Sequence, residues 1–249
     1  MKKRVQMTAD AAETAENPPR RRGVLAFLRD VIVIILIAAL VSFVVKTFVV
    51  RSFYIPSGSM ERTLLVNDRI LVDELTPRWA GYERGDVVVF EDPGGWLPPA
   101  PQRPAQPPLV AATDWVLTFV GLSTSDAQNH LVKRLIGLPG DHIVCCNALG
   151  QITVNGSPID ELSYLNLPEG DTAASNSDFE VTVPANSIWV MGDNRDRSQD
   201  SRAHQELPGG GFVPLDDVVG RAFLTTWPLD RFGLIDTHDE VFRAVPEPK

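Results

Sequence analysis

Cysteine is scarce in this 249-residue sequence: there are two, Cys145 and Cys146, and they are adjacent. Adjacent thiols fit neither the ligand spacing of a zinc site nor a disulfide framework. They read as strand residues, with a bridge between neighbours as the alternative in an oxidising compartment. Positive charge is also short. With 23 Lys and Arg against 32 Asp and Glu the net charge is −9. No basic stripe lies beyond the first 22 residues, which argues against nucleic acid as a partner. Familiar nucleophile settings are missing too: Met60 and Glu61 follow Ser59, so there is no G-x-S-x-G elbow, and no S-x-x-K helix of the β-lactamase kind occurs. The four histidines stand in unrelated contexts, none of them a triad setting. The polar loop that begins at Asp193 lacks the spacing of a calcium loop, because Arg195 and Arg197 occupy its third and fifth positions and Ser198 its sixth. No metal and no cofactor are expected.

The long apolar run at 31–50 is the most conspicuous positive feature. About 20 residues at about 1.5 Å each match the roughly 30 Å hydrocarbon layer, so residues 29–51 are expected to form one transmembrane helix. Lys46 can snorkel to the interface, and Arg51 closes the segment. A cleaved signal peptide is the competing reading, but the run is longer than a signal core and no small-x-small site follows it. Residues 1–28, with Lys2, Lys3, Arg4, Arg20, Arg21, Arg22 and Arg29 at or near them, read as a disordered basic tail. Their charge excess places the N-terminus in the cytoplasm and everything beyond Arg51 outside, anchored to the cell membrane by a single pass.

The rest reads as a mainly β, mostly antiparallel catalytic-size domain over 52–237. Short β-branched runs at 69–73, 86–91, 130–136, 142–146, 151–154, 179–183, 187–191 and 218–225 are expected strands, and Asn155-Gly156 marks a hairpin. Residues 93–129 form an insertion whose first half is crowded with proline and glycine, followed by the apolar run at 115–122, which either packs beneath it or rests on a membrane face. Residues 145–190 suggest a small accessory β region, and 238–249 a polar tail. In HLVKRLI at 130–136, alternation sends Lys133 and Arg134 to opposite faces, and pattern alone does not say which charge is buried.

With elbow, triad and metal chemistry set aside, a serine activated by a lysine remains. Ser59, in IPSGSMERTL at 55–64, is either an ordinary turn residue leading out of an anchor or a nucleophile. A lysine serves as base only when burial pulls its pKa from about 10.4 towards 7–8. Lys133 has the apolar neighbours for that, set against the usual exposed strand lysine.

IPSGSM-x-x-TL after the apolar run, RGDVVVF at 84–90, KRLIGLPGD at 133–141 and GDNRDRSQDSR at 192–202 resemble, in order, the signature boxes of bacterial type I signal peptidases. The likeness covers about 53–233, and a single anchor suits the Gram-positive or actinobacterial form. It implies a mostly antiparallel β-fold, with Ser59 as nucleophile and Lys133 as general base. The Ser57 hydroxyl and Ser59 N–H would form an oxyanion hole. Ser198 would orient the lysine, with Asp193, Arg195, Asp200 and Arg202 bracing the loop around it. Phe53, Ile55, Met60 and Val132 match positions that line pockets for small residues at −1 and −3 of the cleavage site. Arg62 stands where many members have proline. The resemblance implies a membrane-anchored serine endopeptidase acting on signal-peptide-bearing preproteins, with the bilayer as a further partner; contact with the secretion machinery is not readable. The alternative is a non-catalytic, membrane-anchored β-domain that binds proteins. A self-cleaving regulator is a narrower third option, disfavoured by the anchor and the lack of a DNA-binding pattern.

Overall fold

The computed structural model describes residues 23–48, 50–98 and 129–248. The expected basic tail before residue 23, nearly all of the insertion and the run at 115–122 lie outside the described residues. The chain forms two compact units, Met1–Phe43 and Val44–Lys249.

Helix α1 spans Val24–Phe48, 25 residues free of glycine and proline. Where its side chains are described, over 26–41, large apolar groups such as Ile34, Leu36 and Leu40 stand more than half exposed. Among the described residues no helix is long and apolar enough to cross a membrane. The described side chains of α1, over 26–41, fall short of the roughly 20 residues a span needs.

The apolar run does not stay helical to residue 51. Strand β1 (Val50–Tyr54) pairs antiparallel with β2 (Arg69–Asp73), from Val50↔Asp73 to Tyr54↔Arg69. Arg51, expected to close the helix, is a strand residue paired with Glu74 at 2.9 Å. Apolarity alone cannot separate the two conformations here, because Val and Phe suit both and the partner strand decides.

The main sheet continues with β3 (Val87–Glu91), β4 (His130–Gly137), β9 (Ser187–Met191), β10 (Val213–Pro214), β11 (Val218–Trp227) and β12 (Gly233–Leu234). Its order is β1-β2-β11-β3-β4-β9-β10, with β12 on β11, and every pairing is antiparallel. A second sheet of four strands, β5 (His142–Cys145), β6 (Thr153–Val154), β7 (Ser157–Pro158) and β8 (Phe179–Thr182), forms the expected accessory β region. Asn155 and Gly156, both with positive φ (51° and 81°), turn β6 into β7 as the sequence predicts. Cys145 and Cys146 are joined to each other, with Cys145 buried in β5.

Strand β3 shows why the sheet is firm at its centre. Val87 and Val89 face a cluster with Phe53, Ile55, Met60, Leu64, Ile70 and Val72, while Val88 and Phe90 face another with Trp96, Leu135, Ile188 and Val190. These four residues of β3 are fully buried, which explains a continuous VVVF run instead of alternation. The segment read as a polar tail also contributes: Phe242 and Val245 enter the core built on the second sheet. Isolated apolar residues in a charged stretch gave no periodic signal, although both are buried in that core.

Candidate active site

Ser59 lies in the tight turn after β1, and Lys133 in the middle of β4. The turn is held at three points by one asparagine. The Asn194 backbone N–H donates to Ser59 O at 3.0 Å, and its side-chain amide donates to Gly58 O at 3.1 Å and Glu61 Oε2 at 2.9 Å. Gly192 completes the fit by having no side chain. A Cβ there would fall 2.2 Å from Ser198 Oγ and 2.5 Å from Ser59 O, so the loop after β9 can lie against the serine turn only with glycine at this position.

Lys133 Nζ lies 2.8 Å from Ser59 Oγ and donates to Val132 O at 3.1 Å. The amine is 4% exposed, and burial pulls its pKa from 10.5 down to about 8, against the opposing pull of Asp200 and Asp193. Ser57 Oγ reaches Ser59 Oγ at 3.5 Å. The Ser59 N–H has no acceptor among the described residues. Thus a hydroxyl, an amine whose pKa is drawn well below its ordinary value and two candidate donors meet in one place.

Ser198 is not brought onto the lysine. Its Oγ is buried with no partner in hydrogen-bond geometry, although the hydroxyl is near enough to help hold the Asp200 carboxyl low. That carboxyl is raised by burial, an effect outweighed by Arg202 and the Gly192 N–H. Asp200 accepts from Gly192 N at 2.9 Å and, through both oxygens, from the Arg202 guanidinium. Arg202 also donates to Arg195 O. Arg195 donates to Gly192 O and Ala174 O and forms a two-point pair with Glu161. Asp193 receives the fork of Arg134, at 2.9 Å on each oxygen, and the Thr63 hydroxyl at 2.6 Å. The four bracing residues therefore sit around the loop, though by contacts to β4, the serine turn and the accessory region.

Phe53, Ile55, Met60 and Val132 line one cavity of about 130 Å³ together with Ser57, Ser59 and Lys133. Its other walls include Leu97 and His130. The cavity is smaller than the 300–1,000 Å³ of ordinary small-molecule sites, and it is mostly apolar.

Several contributors escaped the sequence reading: Asn194 and Gly192 as clamps on the serine turn, Arg134 as partner of Asp193, Glu161 beneath Arg195, and Leu97. Gly192 and Asn194 lie within the GDNRDRSQDSR box and could have been weighed there. Glu161 and Leu97 lie in segments without a pattern, and only tertiary packing reveals them.

Against known proteins, the family model described as "Signal peptidase, peptidase S26" matches residues 28–227. The chain is 39% identical over 241 residues to "Signal peptidase I" of Mycobacterium tuberculosis, covering 90% of this chain and 80% of that protein. It is 35% identical over 251 residues to "Probable signal peptidase I" of Mycobacterium leprae (92% and 84%), and 32% identical over 209 residues to "Signal peptidase I P" of Bacillus subtilis subsp. natto (81% and 90%). A crystal structure of a signal peptidase I from Enterococcus faecalis V583 aligns with TM-score 0.35 at 24% identity, covering 56% of this chain and 95% of that one. The extent of the family match, with relatives above 30% identity along nine-tenths of the sequence, shows that this chain belongs to the signal peptidase family, peptidase S26.

Proposed function

We propose that the protein is a membrane-anchored serine endopeptidase that removes N-terminal signal peptides from exported preproteins after a small-x-small motif, with Ser59 as nucleophile and Lys133 as general base. The observation that carries the reading is the 2.8 Å contact between Lys133 Nζ and Ser59 Oγ, made by an amine whose pKa lies near 8. A neutral amine accepts the hydroxyl proton as Ser59 Oγ bonds to the scissile carbonyl carbon. The oxyanion so formed takes hydrogen bonds from the Ser59 N–H and the Ser57 hydroxyl, each worth about 2.7–4 kcal/mol in comparable enzymes. Collapse breaks the C–N bond, and the Lys133 ammonium returns its proton to the departing amine. Water then repeats the sequence on the acyl-enzyme and restores Ser59. Ser198 is proposed to position the amine once substrate is bound; its buried hydroxyl makes no bond to Lys133 in the structure described above.

The apolar cavity beside Ser59 fits small side chains and supports the small-x-small preference. Helix α1 and the apolar sequence from 31 to 48 support a single membrane anchor with the N-terminus cytoplasmic. An anchored enzyme and a substrate whose signal segment crosses the same bilayer would then be confined to one surface. Purified full-length protein should cleave a synthetic small-x-small peptide, and Ser59→Ala and Lys133→Ala should each abolish cleavage. Cleavage by either variant would remove the catalytic assignment. An inert wild type would favour the protein-binding alternative.

A further inference from the structure

The Pro-rich insertion lies outside the family boxes, yet its first residues reach the catalytic cavity. Strands β3 and β4 stay paired to Glu91↔His130, and Asp92 N donates to Asn129 O at 3.2 Å, so the insertion leaves and rejoins the sheet at one point. Asp92 then organises the departing backbone. Its Oδ1 accepts from Gly94 N at 3.0 Å and Trp96 N at 2.9 Å, and its Oδ2 from Leu97 N at 3.2 Å. Burial would raise the Asp92 carboxyl, but these N–H donors outweigh it and hold the group below the ordinary carboxylate value. Gly94 and Gly95 turn with φ of 126° and 86°, conformations that a side chain would strain.

Trp96 fixes the far side of this turn. Its ring stacks on His204, with centroids 4.3 Å apart and planes 6° from parallel, and meets Phe90 edge-on at 5.7 Å. Trp96 is 8% exposed and belongs to the core cluster on one face of the sheet. With Asp92 on one side and Trp96 on the other, the position of Leu97 is set by the fold. That position is the wall of the cavity that also holds Ser59, Lys133, Val132 and Met60.

We propose that Leu97 is a specificity-determining residue: delivered by the Asp92–Trp96 anchor, it limits the size of the substrate side chain that enters the cavity beside Ser59. This rests on the peptidase reading above and adds a residue from outside the family boxes to the pocket. The Leu97 side chain carries no acid, base or nucleophile, so its removal should change selection among substrates and leave the chemical step intact. Asp92 and Trp96 are positioning residues that act through it.

The test uses full-length enzyme in detergent and a peptide series carrying Ala, Val or Leu at the residue preceding the cleaved bond, and separately at the residue two earlier. Leu97→Ala should raise kcat/KM for the Val or Leu peptide relative to the Ala peptide by about tenfold at one of the two positions, the discrimination that one or two methylenes provide. Leu97→Phe should move the ratio the other way. Trp96→Ala should reproduce the Leu97→Ala ratio, a result that plain loss of stability would not give. If neither Leu97 variant moves the ratio by more than twofold while Ser59→Ala is inert, the Leu97 assignment is wrong and the peptidase reading stands. If Ser59→Ala still cleaves, the reading beneath the proposal fails instead.

Discussion

Lys133 and Arg134 are consecutive residues of one strand, point to opposite faces of the sheet, and are both buried, at 4% and 0% exposure. Each charge is handled differently. Arg134 remains ionised, because the Asp193 carboxylate takes both arms of its fork, Gly85 O accepts a third bond at 2.7 Å, and the Tyr164 ring lies 4.3 Å from the guanidinium carbon. Lys133 has no adjacent carboxylate in contact and moves towards neutrality. The sheet thus stores a fixed charge on one face and a titratable amine on the other.

The amine sets a pH dependence. With Lys133 as base, only its neutral form is active, so kcat/KM should rise through about pH 8 and level off above it. Lys133→Arg, which stays protonated, should flatten this rise and cost at least about a hundredfold in rate. A pH–rate profile on a neutral peptide checks both. Stability follows the same group. Its folded pKa is depressed, so between about pH 8 and 10.5 the unfolded chain binds more protons and this group's contribution to stability rises with pH. Lys133→Met should therefore stabilise the fold by about 3 kcal/mol below pH 8, readable in urea titrations.

Removing the other charge should do the opposite. Arg134→Met leaves Asp193 buried without its cation and removes the side-chain donor to Gly85 O. Breaking one partner of such a pair costs about 3–5 kcal/mol. Arg134→Lys should recover little, since an ammonium cannot span both carboxylate oxygens as the guanidinium does. Chemical denaturation of the two variants is the measurement.

Gly192 offers a test of how closely the loop must lie against the serine turn. Gly192→Ala places a methyl group 2.2 Å from Ser198 Oγ and 2.5 Å from Ser59 O, the latter being backbone that cannot swing aside. Activity should fall about a hundredfold, a loss of the size that follows from displacing a nucleophile by about 1 Å. KM should change less than kcat, because the apolar walls Phe53, Ile55 and Val132 are not contacted by the added methyl group.

Arg62 has φ of 89°, and its guanidinium donates to Leu165 O at 2.7 Å. Arg62→Pro fixes φ near −65° and cannot keep this backbone. It should cost more than about 2 kcal/mol and lower activity with it. Arg62→Gly keeps the φ and should cost about 1 kcal/mol for the lost bond. Thermal melts of the two variants separate backbone strain from the side-chain contact.

Much of this architecture was legible in the sequence, and the exceptions have physical causes. Strands such as 69–73 and 187–191 were bounded correctly because turn residues flank compact β-branched runs. The first two residues of β1, Val50 and Arg51, were assigned to the helix expected over 29–51, since nothing within the apolar run marks where helix gives way to strand. The serine and the lysine stood out only jointly: Ser59 alone is a turn residue and Lys133 alone a strand residue, and the 74 positions between them close only through the sheet. Arg134 was seen as a charge of unknown face, and both charges proved buried because β4 is covered on its two sides. Glu161 and Leu97 act through contacts between segments distant in sequence, which no local pattern records.

The bond from Asp92 to Asn129 gives the insertion the character of a graft held at its stem. Strand pairing is complete before the chain departs and resumes on its return, so lengthening or shortening what lies between costs the sheet only the slow logarithmic growth of loop entropy. Residues 92–97 stay attached to the stem whatever the graft carries. With Leu97 acting as proposed, changes in this short collar would retune which substrates are accepted without altering Ser59 in its turn or Lys133 on β4.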